Sequence, residues 1–374
     1  MRQVRLKTVL LSLVLSVVTP ALAQSASPQT PNSTSPIQLI PRNAEQRREA
    51  AERISLIVNV TDPSGKPVSG LKPTDFTVLD QRKPQTIVRF REIDGKNFTA
   101  DVRVVIVLDA INGSSLRRVR KQLGPWLSRN NGPLLYPTSL ALATESGVTE
   151  TKASTDRATL SAELTRITRN VSDGMDCETS ASPAIPRMRM FDYLSRVNCL
   201  WEQSERSIHA LRALIGNRQR GRGRTILIWT GPGWSLPVEQ QANYHDVLVE
   251  VTTNLREAQV TLDAVSWTTF NQTRYYRQPI MSVTARLPST SDGVAEEKMA
   301  LPLLAEESGG QSLVKVKDFS SVFASLMAGA DHFYVVSFDS TPSAAPDEYR
   351  TLDVTVDKAL VVHAAAKAYY AEPY

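Results

Sequence analysis

The sequence predicts an α/β fold: a doubly wound, mostly parallel sheet inserted in a small β-sandwich made from both chain ends. Three observations carry this. Continuous apolar runs in the middle of the chain suit strands buried on both faces. Helical apolar stripes separate those runs, and strands alternating with helices build a doubly wound sheet. At both ends the apolar pattern changes to period two, the mark of half-buried antiparallel strands. The 374 residues leave room for two domains. A composition of 41% hydrophobic and 22% charged residues excludes wholesale disorder, a collagen-like chain and a multi-span membrane protein.

Residues 1–23 read as a secretory signal peptide. The basic residues Arg2, Arg5 and Lys7 precede the apolar run Val9–Leu15, and Ala21-Leu22-Ala23 forms a small-residue cleavage site. The run is short for a membrane span. Its removal leaves a mature net charge of about +2, too little to imply nucleic acid or an anionic membrane as partner. Residues 24–50 are rich in Ser, Pro, Thr, Asn and Gln, the composition of a disordered linker.

Residues 51–100 form the first part of the expected sandwich. Ile54, Leu56, Val58 and Val60 alternate with polar or smaller residues, Asp62-Pro63-Ser64-Gly65 is turn chemistry, and Phe76, Val78, Val88 and Phe90 continue the alternation around a break at Lys83-Pro84. Residues 333–374 form the second part: Tyr334, Val336 and Phe338 alternate, as do Leu352, Val354 and Val356. Neither end has enough strands to fold alone, so the two are expected to pair.

Between them, residues 101–332 form the α/β domain. Its buried strands are Val104–Leu108, Ser139–Ala143, Ile226–Trp229 and Val260–Val265. Leu194, Val197, Trp201, Ser204, Ile208, Leu211 and Ile215 recur at steps of three and four, and Tyr244, Val247, Val251, Leu255 and Ala258 give a second amphipathic stripe. In such sheets ligands bind beyond the carboxyl ends of the strands, which nominates the loops 109–115, 144–150, 230–237 and 266–272.

Cys177 and Cys199 are an even pair in an exported chain, and a disulfide is the leading reading, with two buried thiols as the alternative. Closing a loop of that length contributes about 3 kcal/mol through the unfolded state. Neither a C-x-x-C spacing nor a neighbouring His cluster supports a metal or redox role.

Two loops invite chemistry. Asp109 ends an apolar strand and is followed by Asn112, Ser114 and Ser115, oxygen donors of the kind Mg²⁺ accepts. The competing reading has Asp109 holding backbone amides while Asn112 or Ser114 caps the helix that starts near Leu116. After the Trp229 strand, Thr230-Gly231-Pro232-Gly233-Trp234 allows a sharp turn that would stand Trp234 at the ligand edge as an interface anchor; a Trp packed under its own loop is the alternative. The alternating Arg218, Arg220, Arg222 and Arg224 read as a solvated turn at a helix end, with contact to an anionic glycan or lipid as the alternative. No G-x-S-x-G, H-E-x-x-H or G-x-x-x-x-G-K pattern is present, and His209, His245, His332 and His363 are scattered, so no catalytic set is nominated.

Several short segments together carry a family resemblance. Val58-Asn59-Val60-Thr61-Asp62-Pro63-Ser64-Gly65-Lys66-Pro67-Val68, Gly70-Leu71-Lys72-Pro73-Thr74-Asp75-Phe76, Thr155-Asp156-Arg157, Leu303–Gly310 and Ala366-Lys367-Ala368-Tyr369-Tyr370-Ala371 resemble landmarks of the von Willebrand factor A-related proteins of acidobacterial type. The likeness covers nearly all of the mature chain. It implies a von Willebrand factor A-like sheet with a metal-ion-dependent adhesion site of the form D-x-S-x-S. Asp109 matches the acid, but Ile111 and Gly113 occupy the two serine positions, and the loop after Trp229 lacks the second Asp. Thr179 is only a weak match for the remaining threonine. The resemblance therefore implies a degenerate site, with no metal or other cofactor expected; a Mg²⁺ held by Asp109 and Ser114 would be the exception.

The expected function is that of an exported, non-enzymatic protein-binding or adhesion module, periplasmic or extracellular, with no membrane span in the mature chain. Its binding loops would use Asp109, Asn112, Ser114, Ser115, Thr230 and Trp234. The alternative is a divalent-cation-dependent adhesin with a non-standard site at Asp109.

Overall fold

The computed structural model describes residues 53–95, 102–112, 115–129, 132–172, 174, 177, 188–216, 223–234, 241–267, 301–356, 359–364, 366–371 and 373. The expected signal peptide and linker, Ser114, Thr179 and the arginines at 218, 220 and 222 lie outside them. Every described residue belongs to one unit, Leu39–Tyr374.

The fold is mixed α/β, with one mostly parallel sheet and two antiparallel ones. Strand β5 (Val102–Asp109) is central to the parallel sheet. It is flanked by β6 (Thr138–Thr144) on one side and β8 (Arg224–Thr230) on the other, both parallel to it. Beyond β8 come β9 (Val260–Val265) and the short β10 (Ser312–Leu313); beyond β6, an antiparallel β7 (Gly147–Glu150) closes the edge. The chain winds from β5 outward to β7 and then returns to β8 on the opposite side. The switch point of the sheet therefore lies between β5 and β8, where ligand crevices form in open α/β sheets.

Period-two geometry sends alternate residues of β5 to opposite layers. Val105 and Val107 pack with Ile208 and Leu211 of α3 (Met188–Gly216), Val251 of α4 (Gln241–Glu257) and Leu304 of α5 (Leu301–Glu307). Val104, Ile106 and Leu108 pack with Val119 of α1 (Ser115–Ser128), Leu160 of α2 (Arg157–Ile167) and Phe319 of α6 (Phe319–Met327). Helices cover both faces, which is why these strands are apolar without alternation. Among the described residues no helix is long and apolar enough to cross a membrane.

The antiparallel strands come from both chain ends. β1 (Arg53–Thr61) lies between β11 (Phe333–Asp339) and β13 (Val361–Ala364), with β4 (Ile87–Ile93) at the far edge of β11. The other sheet runs in the order β14 (Ala368–Ala371), β12 (Glu348–Val356), β2 (Phe76–Asp80) and β3 (Lys83–Gln85). Ile54, Leu56, Val58, Tyr334, Val336 and Phe338 share one core with Phe76, Val78, Val354 and Tyr369. The opposite face of the first sheet is also covered: Ile57, Ile93 and Phe333 join the core beneath α1 and α6.

The expected alternation fails at Val88. Ile87 pairs with Phe338 and Arg89 with Ser337, so Val88 is an extra residue in a β-bulge. It stands 43% exposed, while Ile87 and Phe90 pack on the core.

The short segments singled out in the sequence have structural uses. Asp156 caps α2, accepting from the amides of Ala158 and Thr159. The Ser308 hydroxyl donates to the Ala305 carbonyl and accepts from the Leu262 amide, tying α5 to β9. A Cβ on Gly310 would lie 1.9 Å from the Leu262 carbonyl oxygen, so the chain passes there only as glycine. The Tyr369 hydroxyl donates to Asp80 across the second sheet.

Candidate functional site

An apolar strand that ends on an acid delivers that acid to the carboxyl edge. Asp109 arrives there fully buried. Its Oδ1 accepts from the amides of Ile111 (3.0 Å) and Asn112 (3.1 Å). Its Oδ2 accepts from Asn112 Nδ2 at 2.8 Å and from Trp229 Nε1 at 3.1 Å. Burial pushes the carboxyl above the ordinary carboxylate range, and these four donors oppose the shift. Asn112 Nδ2 also donates to Ser207 Oγ of α3 at 3.0 Å, which draws the helix over the loop.

The neighbouring strand completes the closure. Thr230 is fully buried and donates its hydroxyl to the Val107 carbonyl at 2.6 Å. A Cβ on Gly231 would sit 2.7 Å from that of Asp109, so glycine is what lets the two strand ends approach. From outside, Gly174 comes so close that a Cβ there would lie 2.2 Å from the Ile111 carbonyl. Three residues on, Cys177 is bonded to Cys199 of α3. The disulfide reading of the cysteines holds, and it anchors the covering segment near this crevice.

Trp234 does not stand at the ligand edge. It is 3% exposed, and its ring meets that of Trp229 edge-on with centroids 4.9 Å apart. Gly233, at φ +70°, turns the chain back on itself and carries the indole into the core. The structure thus brings together Asp109, Asn112 and Thr230, with Trp234 packed inward behind them. Ser115 starts α1, and Ser114 and the tips 235–237 and 268–272 lie outside the described residues. The hairpin between β6 and β7 is the described loop that exposes side chains at this edge: Ser146 is exposed, and Glu145 pairs with Arg206 of α3 at 3.2 Å.

The donor chemistry around Asp109 does not fit a hard cation. Both carboxylate oxygens already accept N–H groups, and those N–H dipoles present positive ends toward any ion placed between them. Among the described residues no group of three His, Cys, Asp or Glu side chains is placed to hold a metal.

Sequence reasoning missed Ser207, Gly174 and the indole N–H of Trp229. Trp229 was legible only as apolar mass, and nothing in the spacing tied residues on α3 to the loop after β5. Arg224 also differs from expectation: as the first residue of a central strand it is 8% exposed, not part of a solvated turn. His332 lies between two acids, Nδ1 at 2.8 Å from Asp331 and Nε2 at 3.2 Å from Asp94.

No family model matches the chain, and no curated protein matches it. Among solved structures, an aerotolerance-related membrane protein from Bacteroides fragilis NCTC 9343 aligns over 62% of this chain and 98% of its own, at 10% identity and a TM-score of 0.33. The conserved hypothetical protein BatB from Bacteroides thetaiotaomicron aligns over 61% and 98%, at 11% identity and a TM-score of 0.31.

Proposed function

We propose that this chain is an exported, non-enzymatic interaction protein with a von Willebrand factor A-like sheet, meeting a protein partner through the loops at the carboxyl edge of that sheet. The observation that carries this reading is the state of Asp109. The acid at the switch point is fully engaged by the protein's own donors, so it orders the first loop and offers nothing to a reacting group. What remains for recognition is the shape of the edge. Close packing at Gly174 and the Cys177–Cys199 bond hold that shape in advance, which lowers the ordering cost of binding. Export is supported by the N-terminal pattern and by the disulfide.

One atom favours the cation-dependent alternative: Asn112 Oδ1 is buried and has no hydrogen-bond partner among the described residues. Calorimetric titration of residues 24–374 with Mg²⁺, Mn²⁺ and Ca²⁺, beside Asp109→Ala, separates the two readings. No saturable heat is expected. Saturable binding that disappears in the variant would make the protein a metal-dependent adhesin.

The location of the binding surface is tested by placing a photo-crosslinker at Ser146, on the carboxyl edge, or at Leu135, which is 67% exposed just before β6 begins. The Ser146 probe is expected to capture a partner and the Leu135 probe to capture none. The reverse pattern would overturn the assignment of the edge.

A further inference from the structure

A second polar region lies on the other side of the molecule, between the parallel sheet and the sandwich. Here a cleft of about 1430 Å³ is lined by Asn59 of β1, Arg224 and Thr261 at the starts of β8 and β9, and the turn at Gly309–Gln311. It is larger than the roughly 300–1,000 Å³ usual for small-molecule sites. Its wall also includes apolar side chains, among them Leu313 and Leu326.

Arg224 is the unusual member. Its guanidinium lies 5.7 Å from the centre of the Phe333 ring. It makes three hydrogen bonds among the described residues, all to neutral oxygens: Nη1 to Asn59 Oδ1 at 3.1 Å, and Nε and Nη2 to Thr261 Oγ1 at 3.4 and 3.3 Å. Among the described residues no carboxylate comes within 4.0 Å of it. A guanidinium carries five N–H donors, so part of the fork is left without an acceptor among the described residues. Thr261 accepts from the arginine and keeps its own hydroxyl proton to donate. Asp263 opposes this charge from beyond ion-pair distance, and an anion seated on the fork itself would compensate the buried cation more closely.

We propose that this cleft binds a small carboxylate, with the Arg224 fork as the principal contact and the Thr261 hydroxyl as a second donor. The planar fork matches a carboxylate in bidentate geometry. Glu306, Glu307 and Asp263 line the same cleft and would repel a dianion such as phosphate more strongly than a monoanion. The apolar wall leaves room for a hydrocarbon substituent on the acid. This site is separate from the carboxyl edge and does not rest on the function proposed there.

The test is titration of the mature protein with sodium acetate and sodium hexanoate, with chloride and inorganic phosphate as comparators at matched ionic strength. Saturable one-to-one binding of both acids is expected, hexanoate the tighter. Arg224→Gln should weaken it at least tenfold. Should that variant fail to fold, Ala328→Trp decides, because this exposed residue lines the cleft and a Trp there obstructs it while leaving Arg224 in place. No saturation with either acid would overturn the proposal, as would binding unchanged in the variants. Phosphate binding more tightly than the acids, and lost with Arg224, would overturn the choice of a monoanion.

Discussion

The parallel sheet buries a charged group at each end, and the two ends treat that charge differently. At the carboxyl end Asp109 meets four N–H donors from its own loop and from Trp229, under cover of Ser207 and Gly174. At the amino end Arg224, among the described residues, hydrogen-bonds only to neutral oxygens, with Asp263 acting at longer range, and it opens on a cleft. The contrast teaches that burial alone does not mark a binding site. A buried charge whose partners are all supplied by the chain is a structural fastener, whereas one left under-compensated beside open space has capacity for a ligand.

Four experiments sharpen or break this contrast. The largest effect is expected from Trp229→Ala. It removes a fully buried ring and one donor to Asp109, and should destabilise the fold by about 3–5 kcal/mol in urea denaturation. A loss below about 1 kcal/mol would mean that the carboxyl end is not the packed closure described. The double variant Cys177→Ser, Cys199→Ser is next. Opening a 22-residue loop should cost about 3 kcal/mol, and reducing agent should lower the melting temperature of the wild-type protein but leave the double variant unchanged.

The third test concerns the amino end. Burial pushes Asp263 and Glu307 up to about 7. Their folded values lie above the unfolded ones, so their contribution to stability is fully present below about pH 4. It is lost as pH rises through 7. Each group is expected to cost about 2–3 kcal/mol between pH 5 and pH 8, at about 1.4 kcal/mol per unit. Asp263→Asn and Glu307→Gln should flatten that slope when unfolding free energy is measured across the range. An unchanged slope in both variants would show that neither group titrates there. The smallest effect belongs to Gly231→Ala: a Cβ 2.7 Å from that of Asp109 should cost about 1–2 kcal/mol by calorimetric melting, without creating any metal binding.

Much of the architecture was legible before the structure. The runs Val104–Leu108 and Ile226–Trp229 are apolar because both their faces are covered, and that pattern appears directly in the residues. Period two at Leu352–Val356 likewise announced a strand with one face on a core, whereas at Ile54–Val60 it announced the strand but not the second covered face, where Ile57 joins the other core. Val88 broke the pattern because a bulge changes parity without changing composition. The candidate site was legible at Asp109, Asn112 and Thr230, because the end of a buried strand and the loop after it are positions that sequence can name. The distant partners were not, since Trp229 reaches Asp109 from 120 positions away and Ser207 reaches Asn112 from 95. Trp234 and Arg224 went the other way. A Trp in a Gly-Pro-Gly turn and an Arg in an arginine-rich run look exposed by composition, yet both are buried by what stands next to them.

By itself, then, the sequence determined that buried strands alternate with helices in the middle of the chain, that period-two strands lie at both ends, and the pairing partner available to each cysteine. Periodicity and cysteine count are local properties, readable one segment at a time. Tertiary structure alone decided that Asp109 would be satisfied by donors from its own loop and β8, and that Arg224 would be buried beside a cleft with, among the described residues, no carboxylate at ion-pair distance. Both outcomes depend on which distant side chains come within about 3 Å of a charge, because the free energy of a buried ion is set by the partners that folding places around it.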